Sequence, residues 1–423
     1  MDERLQKVIN VTAEKFNLEH YFLKRYHIFR EQSDMNETTY ILNMEWFPND
    51  TVETNEDYNP AGTASIDVDL QTNLVKRIIF VNEENKTEDV FPESSNTELA
   101  IEWIEEETGL EFGRQFKLNQ EEERELFFQA AVDNIAVFPS GFIQMEFNND
   151  GKLSLFSMDG SFPNEDQLNW EPFALTAKQI DPIAKSQIKL LEIPFGSEEK
   201  WKAIYGTTTA FVTNDGKRTI SFEEVERPKS YIPKDVLLEW QEPIKDKFIK
   251  QDIDLSSEVT LEEAFNKGHT TDPENDFLTV NDQQHAEETS RNILRGEFPD
   301  DSGKWKLTGL WREKDYIFAE IKPVAADARV IDRKIKLIID GKDYKPMNYV
   351  DNRAILDMFD DLENAEVPQL SKEEAFDKLY EHIEITPVYV FNKKQNHYIL
   401  CGKIDCEYGV DAVTGEILLL DEL

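Results

Sequence analysis

The chain has 423 residues and a formal net charge of −40, from 86 acidic against 46 basic side chains. A surface of that sign repels phosphate backbones and anionic membranes, and no basic stripe offsets it, so nucleic acid is excluded as an expected partner. With 39% apolar residues, including 27 Phe, 13 Tyr and 7 Trp, the chain has the aromatic material for packed interiors that disordered polyanions lack, and its length calls for more than one core.

The opening "MDERLQKVINVTAEKF" is acidic where a secretory leader is basic, and no apolar h-region follows. No stretch reaches the roughly 18 to 20 apolar residues of a membrane span, so no membrane insertion is expected. The only cysteines, Cys401 and Cys406, stand five apart on adjoining strand-like sequence and are read as free thiols of a reducing compartment. These features predict a cytoplasmic protein.

In chain order, "ERLQKVINVTAEKF" places Leu5, Val8, Ile9 and Val11 or Ala13 on one helical face. Strands follow in "YFLKRYHIFR" and "TYILNMEWF", around the polar turn "EQSDMNET". In the second of these Tyr40, Leu42, Met44 and Trp46 alternate as one buried sheet face. "TASIDVDLQTNLVKRIIF" adds two strands about a Gln-Thr-Asn turn. A second helix, "TELAIEWIEEETG", precedes "ELFFQAAVDNIAVFP" and "GFIQMEFNNDGKLSLFSM", where Asp150-Gly151 predicts a type I′ hairpin. The scheme recurs in "LTAKQIDPIAKSQIKLL" with the Asp215-Gly216 hairpin, and in "AEETSRNILRG" with strands up to Asp340-Gly341. Its last copy is "SKEEAFDKLYEHI", with Ser371 and Glu374 at capping-box spacing, followed by "ITPVYVF", "HYILCGKI" and the closing Thr-Gly hairpin.

The turn residues Asn73, Gly151, Gly216, Gly341 and Gly415 are separated by 78, 65, 125 and 74 residues. Spacings near 70 exceed solenoid repeats and predict small α+β modules. The long gap holds "IPKDVLLEWQEPIKDKFIKQDIDLSSEVTLEEAFNKG", read as largely helical. The predicted architecture is α+β: helix-plus-antiparallel-meander units at 1–90, 91–168 and 169–228, a mainly helical insertion at 229–280, and units at 281–351 and 352–423.

The "SKEEAF" helix start (Ser371, Glu373, Glu374, Ala375) and the closing "VDAVTGEIL" (Asp411, Thr414, Gly415, Glu416, Ile417) together resemble the PepSY-like units of the bacterial YcdB/YcdC repeat proteins. The match covers the last 50 or so residues and weakens at Phe147–Leu153 and Val68–Val75, where the second turn has no glycine. The resemblance implies a helix on a small antiparallel sheet and no established enzymatic activity. It also implies, by analogy, a part in binding or restraining peptidases, often outside the membrane, although no leader or anchor is visible in this chain.

Sites of chemistry are sparse. The six histidines, His20, His27, His269, His285, His382 and His397, include no pair at zinc-ligand spacing on one helix. His285 with Glu288 reads as an exposed helix face. "DPENDFLTVNDQ" sets Asp272, Glu274 and Asp276 as a calcium loop begins but has Phe277 and Gln283 where that loop needs Gly and Glu. Asp357, Asp360 and Asp361 gather on one helical face, as chance allows in so acidic a chain. Ser140 lacks a nucleophile elbow. His397 with Cys401 and Cys406 reads as an alternating buried strand. Phosphate loops are absent, and acid pairs such as Asp67/Asp69 or Glu102 with Glu105 and Glu106 are too common to mark a dyad. No catalytic, metal or cofactor residue is therefore assigned. The expected function is a non-enzymatic binding or regulatory protein that engages another protein through its sheets, edges or grooves. The alternatives are a hydrolase whose carboxylates meet only in the fold, and a structural scaffold.

Overall fold

A computed structural model describes residues 2–32, 38–51, 58–88, 90–94, 96–244, 248–253, 259–265, 277–325 and 328–422. The turn at 33–37, His269 and the Asp272, Glu274 and Asp276 triplet lie outside the described residues. The chain is mixed α+β and rich in sheet. It runs α1 (Glu3–Lys15), β1 (Tyr21–Gln32), β2 (Thr38–Pro48), β3 (Ala64–Asp69), β4 (Val75–Phe80), α2 (Thr97–Thr108), β5 (Phe116–Glu122), β6 (Glu125–Val132), β7 (Ile135–Phe138), β8 (Phe142–Phe147) and β9 (Leu153–Asp159). Next come α3 (Ala177–Gln187), β10 (Ile188–Phe195), β11 (Lys200–Thr207), β12 (Ala210–Thr213), β13 (Thr219–Ser221), α4 (Phe222–Glu226), β14 (Ile232–Leu238), α5 (Leu261–Phe265) and α6 (Val280–Glu297). The chain ends in β15 (Trp305–Glu313), β16 (Tyr316–Pro323), β17 (Ile335–Asp340), β18 (Pro346–Asp351), α7 (Arg353–Asp357), α8 (Lys372–Leu379), β19 (Glu384–Asn392), β20 (His397–Asp405), β21 (Tyr408–Asp411) and β22 (Ile417–Leu419).

These elements form two compact units. The first comprises Met1–Glu171, Leu255–Thr271 and Val388–Leu400; the second, Pro172–Asp254, Asp272–Pro387 and Cys401–Leu423. Among the described residues no helix is long and apolar enough to cross a membrane.

In the first unit the strands run in the order β1-β2-β3-β4-β9-β8-β6-β7, with β5 also on β6 and residues 388–390 of β19 parallel to β7. Tyr40, Leu42, Met44 and Trp46 are buried, as their alternation predicts, in one core with Leu5, Val8 and Ile9 of α1 and Ala100 and Ile104 of α2. The fourth buried position of α1 is Thr12, whose Oγ1 donates to the Val8 carbonyl at 2.9 Å, while Val11 is exposed. Back-bonding of this kind lets a hydroxyl sit on an apolar face without an unpaired donor.

In the second unit the sheet β14-β15-β16-β17-β18 packs on α6 around Leu294, Leu307, Ile321 and Leu337. A four-stranded sheet, β10-β11-β21-β22, surrounds a second core that takes the Ala375, Phe376 and Leu379 face of α8. The expected helical insertion is corrected here. Residues Ile232–Leu238 form strand β14, and α5 is the described helix of that segment. "IPKDVLL" alternates in burial along β14, and Pro233 is tolerated because β14 is an edge strand with one side free of ladder bonds.

The turns also differ from expectation in two places. At Asp150-Gly151 only Gly151 is left-handed (φ 78°), giving a three-residue connection with a bulge rather than type I′. At Asp340-Gly341 the left-handed residue is Tyr344 (φ 59°). Gly341 is needed for space: a Cβ there would lie 2.5 Å from the Asp315 carbonyl oxygen.

Candidate functional site

A cleft of about 370 Å³ opens in the second unit where the connection from β16 to β17 meets α7. Among the described residues its lining holds five cations, Lys306, Lys322, Arg329, Arg333 and Arg353, and two carboxylates, Asp332 and Asp360. Each of these cations also faces a carboxylate: Lys306 Asp235, Lys322 Asp332, Arg329 Glu192, Arg333 Asp351, and Arg353 both Asp357 and Asp360. Pro323, Val324, Ala325, Ile331 and Leu356 supply apolar wall. Exposed Val330, Ile355 and Met358 flank it in sequence, Met358 at 76% exposure.

Local structure fixes each cation. The strap 328–330 lies along the edge of β10, with the Glu192 amide donating to Ala328 O (2.7 Å) and the Val330 amide to Glu192 O (2.9 Å). This sets the Arg329 guanidinium 4.4 Å from the ring centroid of buried Trp201. Four residues on, the Arg333 guanidinium lies 5.0 Å from the ring of buried Trp305 and bonds Asp351 at 2.9 Å. Aromatic faces hold guanidinium groups flat and cost them little hydration, which leaves two planar forks pre-oriented. Arg333 Nε is buried and donates to no acceptor among the described residues; an orphan donor of this kind costs about 1–3 kcal/mol.

The remaining pairings are loose. Lys306 reaches Asp235 at 3.4 Å and Lys322 reaches Asp332 at 3.6 Å, while Arg329 donates to Asn364 Oδ1 at 3.4 Å and stands 3.9 Å from Glu192. Such partly exposed pairs are worth about 0–1 kcal/mol each, against about 1.5–3 kcal/mol for a good charge-assisted hydrogen bond. Arg353 pairs with Asp357 and Asp360, which places two of the three acids of the α7 segment on one guanidinium rather than on a cation site.

The residues singled out in the sequence fall elsewhere. Asp69 closes a turn, accepting from the Gln71 and Thr72 amides. Asp67 lies in a polar row of paired residues across five strands, His27, Asn43, Asp67, Arg77 and Ser157. Asn43 donates to it at 2.5 Å, and Arg77 stands 3.9 Å away. Burial raises the Asp67 carboxyl above the ordinary aspartate range despite both neighbours. On α2, Glu105 accepts from the Phe112 amide, and the buried acid is instead Glu107, 2.6 Å from Lys15 and raised by burial. His285 stacks on Tyr344 at 4.4 Å. Cys401 and Cys406 form no disulfide and are buried, burial pushing the Cys406 thiol up, and Ser140 donates to the Gly141 carbonyl. Among the described residues no group of three His, Cys, Asp or Glu side chains is placed to hold a metal.

No family model matches the chain, and no curated protein compared with it matches either. Among solved structures, the Bacillus megaterium YpeB C-terminal domain aligns over 83% of this chain and 97% of its own, with 7% identity and a TM-score of 0.25. A superposition that loose identifies neither fold nor function.

Proposed function

We propose that this is a cytoplasmic, non-enzymatic binding or regulatory protein that engages another protein, and that the cleft of the second unit makes the contact. The observation that carries the reading is one cleft of a very acidic molecule whose lining gathers five cations beside the exposed apolar Val324. Apolar exposure beside a groove marks interaction surfaces, and Arg is the charged residue most often central to them. A carboxylate hydrolase requires two acids facing each other across a cleft. Here Asp332 and Asp360 are tied to Lys322 and Arg353, so the arrangement favours binding over hydrolysis. The acidic remainder of the surface disfavours nucleic acid.

The finer architecture proposed is a tandem of YcdB/YcdC-like, PepSY-like units. Its support is a hairpin turn used four times among the described residues, once from Asn392 between β19 and β20 and three times from an aspartate. Asp69, Asp340 and Asp411 each accept through Oδ1 from the amides two and three residues on. Each also accepts on its carbonyl from the amide four residues on, where the backbone is left-handed at Asn73, Tyr344 and Gly415.

The test is capture from lysate of the native organism on immobilised full-length chain, with a Lys322→Gln/Arg329→Gln double variant alongside. A stoichiometric protein kept by the wild type at moderate salt and lost from the variant supports the reading. Equal capture by both, or none by either, overturns it.

A further inference from the structure

We infer that Asp150 is a site of spontaneous backbone modification, where the Asp150-Gly151 step closes to a succinimide and reopens as aspartate or isoaspartate. In the closure the Gly151 amide nitrogen bonds the side-chain carboxyl carbon of Asp150. The carboxyl loses its hydroxyl and the nitrogen its proton, so one water leaves. Hydrolysis at either ring carbonyl takes one water back, and solvent is the only co-reactant. Glycine permits the step because it carries no Cβ to obstruct the attacking nitrogen.

The chain has four Asp-Gly steps, at Asp150, Asp159, Asp215 and Asp340, and the structure restrains three of their carboxylates. Asp159 accepts from the Arg77 guanidinium at 3.1 Å and from the Ser157 hydroxyl at 2.5 Å. Asp215 accepts from the Thr213 hydroxyl at 2.7 Å and the Lys217 amide at 3.1 Å, and pairs with Lys217 Nζ at 3.1 Å. These donors, Thr213 foremost, lower its carboxyl to about 2, so the protonated acid that expels water is scarce at neutral pH. Asp340 accepts from the Lys342 and Asp343 amides at 2.8 and 3.0 Å. Asp150 differs. Its amide donates to Asn148 Oδ1 at 3.0 Å, but among the described residues its exposed carboxylate takes no hydrogen bond or ion pair.

Space points the same way. An added atom would lie 2.7 Å from the Ser140 carbonyl oxygen at Gly160 and 2.5 Å from the Asp315 carbonyl oxygen at Gly341, both backbone. At Gly151 the one neighbour is the Ser94 hydroxyl, at 3.1 Å, on a side chain that can rotate. The amides of Gly151, Gly216 and Gly341 each donate to a backbone carbonyl, at 3.0, 2.7 and 2.8 Å, so the nucleophile does not discriminate among these three. The carboxylate does, because it must leave its donors before it turns onto the nitrogen, and bonds to an ionised acceptor are the strong ones.

The experiment keeps the full-length chain folded for days at neutral pH in water labelled with heavy oxygen, beside the same chain unfolded in urea. Ring opening leaves one heavy oxygen in the aspartyl residue whichever product forms. The four aspartates fall on four different tryptic peptides, and mass spectrometry with electron-transfer fragmentation locates the label. In the folded chain Asp150 should label about tenfold faster or more than the other three. In urea all four should label at similar rates. Thr213→Val should raise labelling of Asp215 in the folded chain. Equal labelling of the four in the folded chain, earlier labelling of another, or none at Asp150 overturns the inference. So does a lead for Asp150 that survives in urea, which would belong to local sequence, or indifference of Asp215 to Thr213→Val.

Discussion

At the scale of single residues the closing hairpin is the sharpest case. Gly415 sits at φ 76°, where Asn73, Tyr344 and Asn396 stand in the matching turns. A Cβ at Gly415 would meet only ordinary contacts, the nearest at 3.5 Å, so the cost of a side chain is backbone strain alone. Gly415→Val should destabilise the second unit by about 1–2 kcal/mol in urea unfolding, and Gly415→Asn should recover most of it, as Asn73 does natively. Equal stability of all three proteins would contradict the turn. This residue was legible in sequence because a Thr-Gly turn between apolar strands has one conformational reading. Tyr344 was not: its left-handed backbone is anchored by the stacking on His285 and by its hydroxyl, which donates to Asp282 at 2.7 Å.

Asp67 supplies a pH signature at the same scale. Its carboxyl is raised by burial, so the folded protein binds this proton more readily than the unfolded chain. The linked stability is full below the unfolded value, near about 4, and is lost as pH rises through the folded value. Asp67→Asn lacks that dependence. The unfolding free energy of the variant minus that of the wild type should therefore increase from about pH 4 to 7; a flat or falling difference would contradict the account.

At the scale of elements, helix α8 shows how much a short motif can establish. Ser371 and Glu374 form the capping box their spacing predicts, with Ser371 Oγ accepting from the Glu374 amide and Glu374 accepting from the Ser371 amide at 2.8 Å. The helix has 8 residues, too few to stand without its caps and its buried face. Ser371→Ala should cost about 1 kcal/mol by urea titration, and no loss would show that packing of Phe376 and Leu379 alone fixes the helix. Alternation and helical spacing made most strands and helices legible. Strand partners were not, since β11 pairs with β21 across two hundred residues of chain, and β14 was misread because an edge strand with a Pro and mixed polarity carries little period.

At the scale of the whole molecule, the excess of acidic charge was legible at once, and its consequence was read as solubility and exclusion of polyanions. The cleft was hidden for a physical reason. Lys306, Lys322, Arg329, Arg333 and Arg353 lie on two strands, a connection and a helix, and each alone is an ordinary surface cation. Only the strap on β10 and the two tryptophans make them a site. The most direct measurement of the central claim is photo-crosslinking in cells of the native organism from a photoreactive residue replacing Val324 in the cleft lining, beside the same group at exposed Tyr58 of the first unit. The account predicts one discrete protein adduct from position 324, diminished by Arg329→Gln and absent from position 58. The same adducts from both positions, or none from 324, would contradict it.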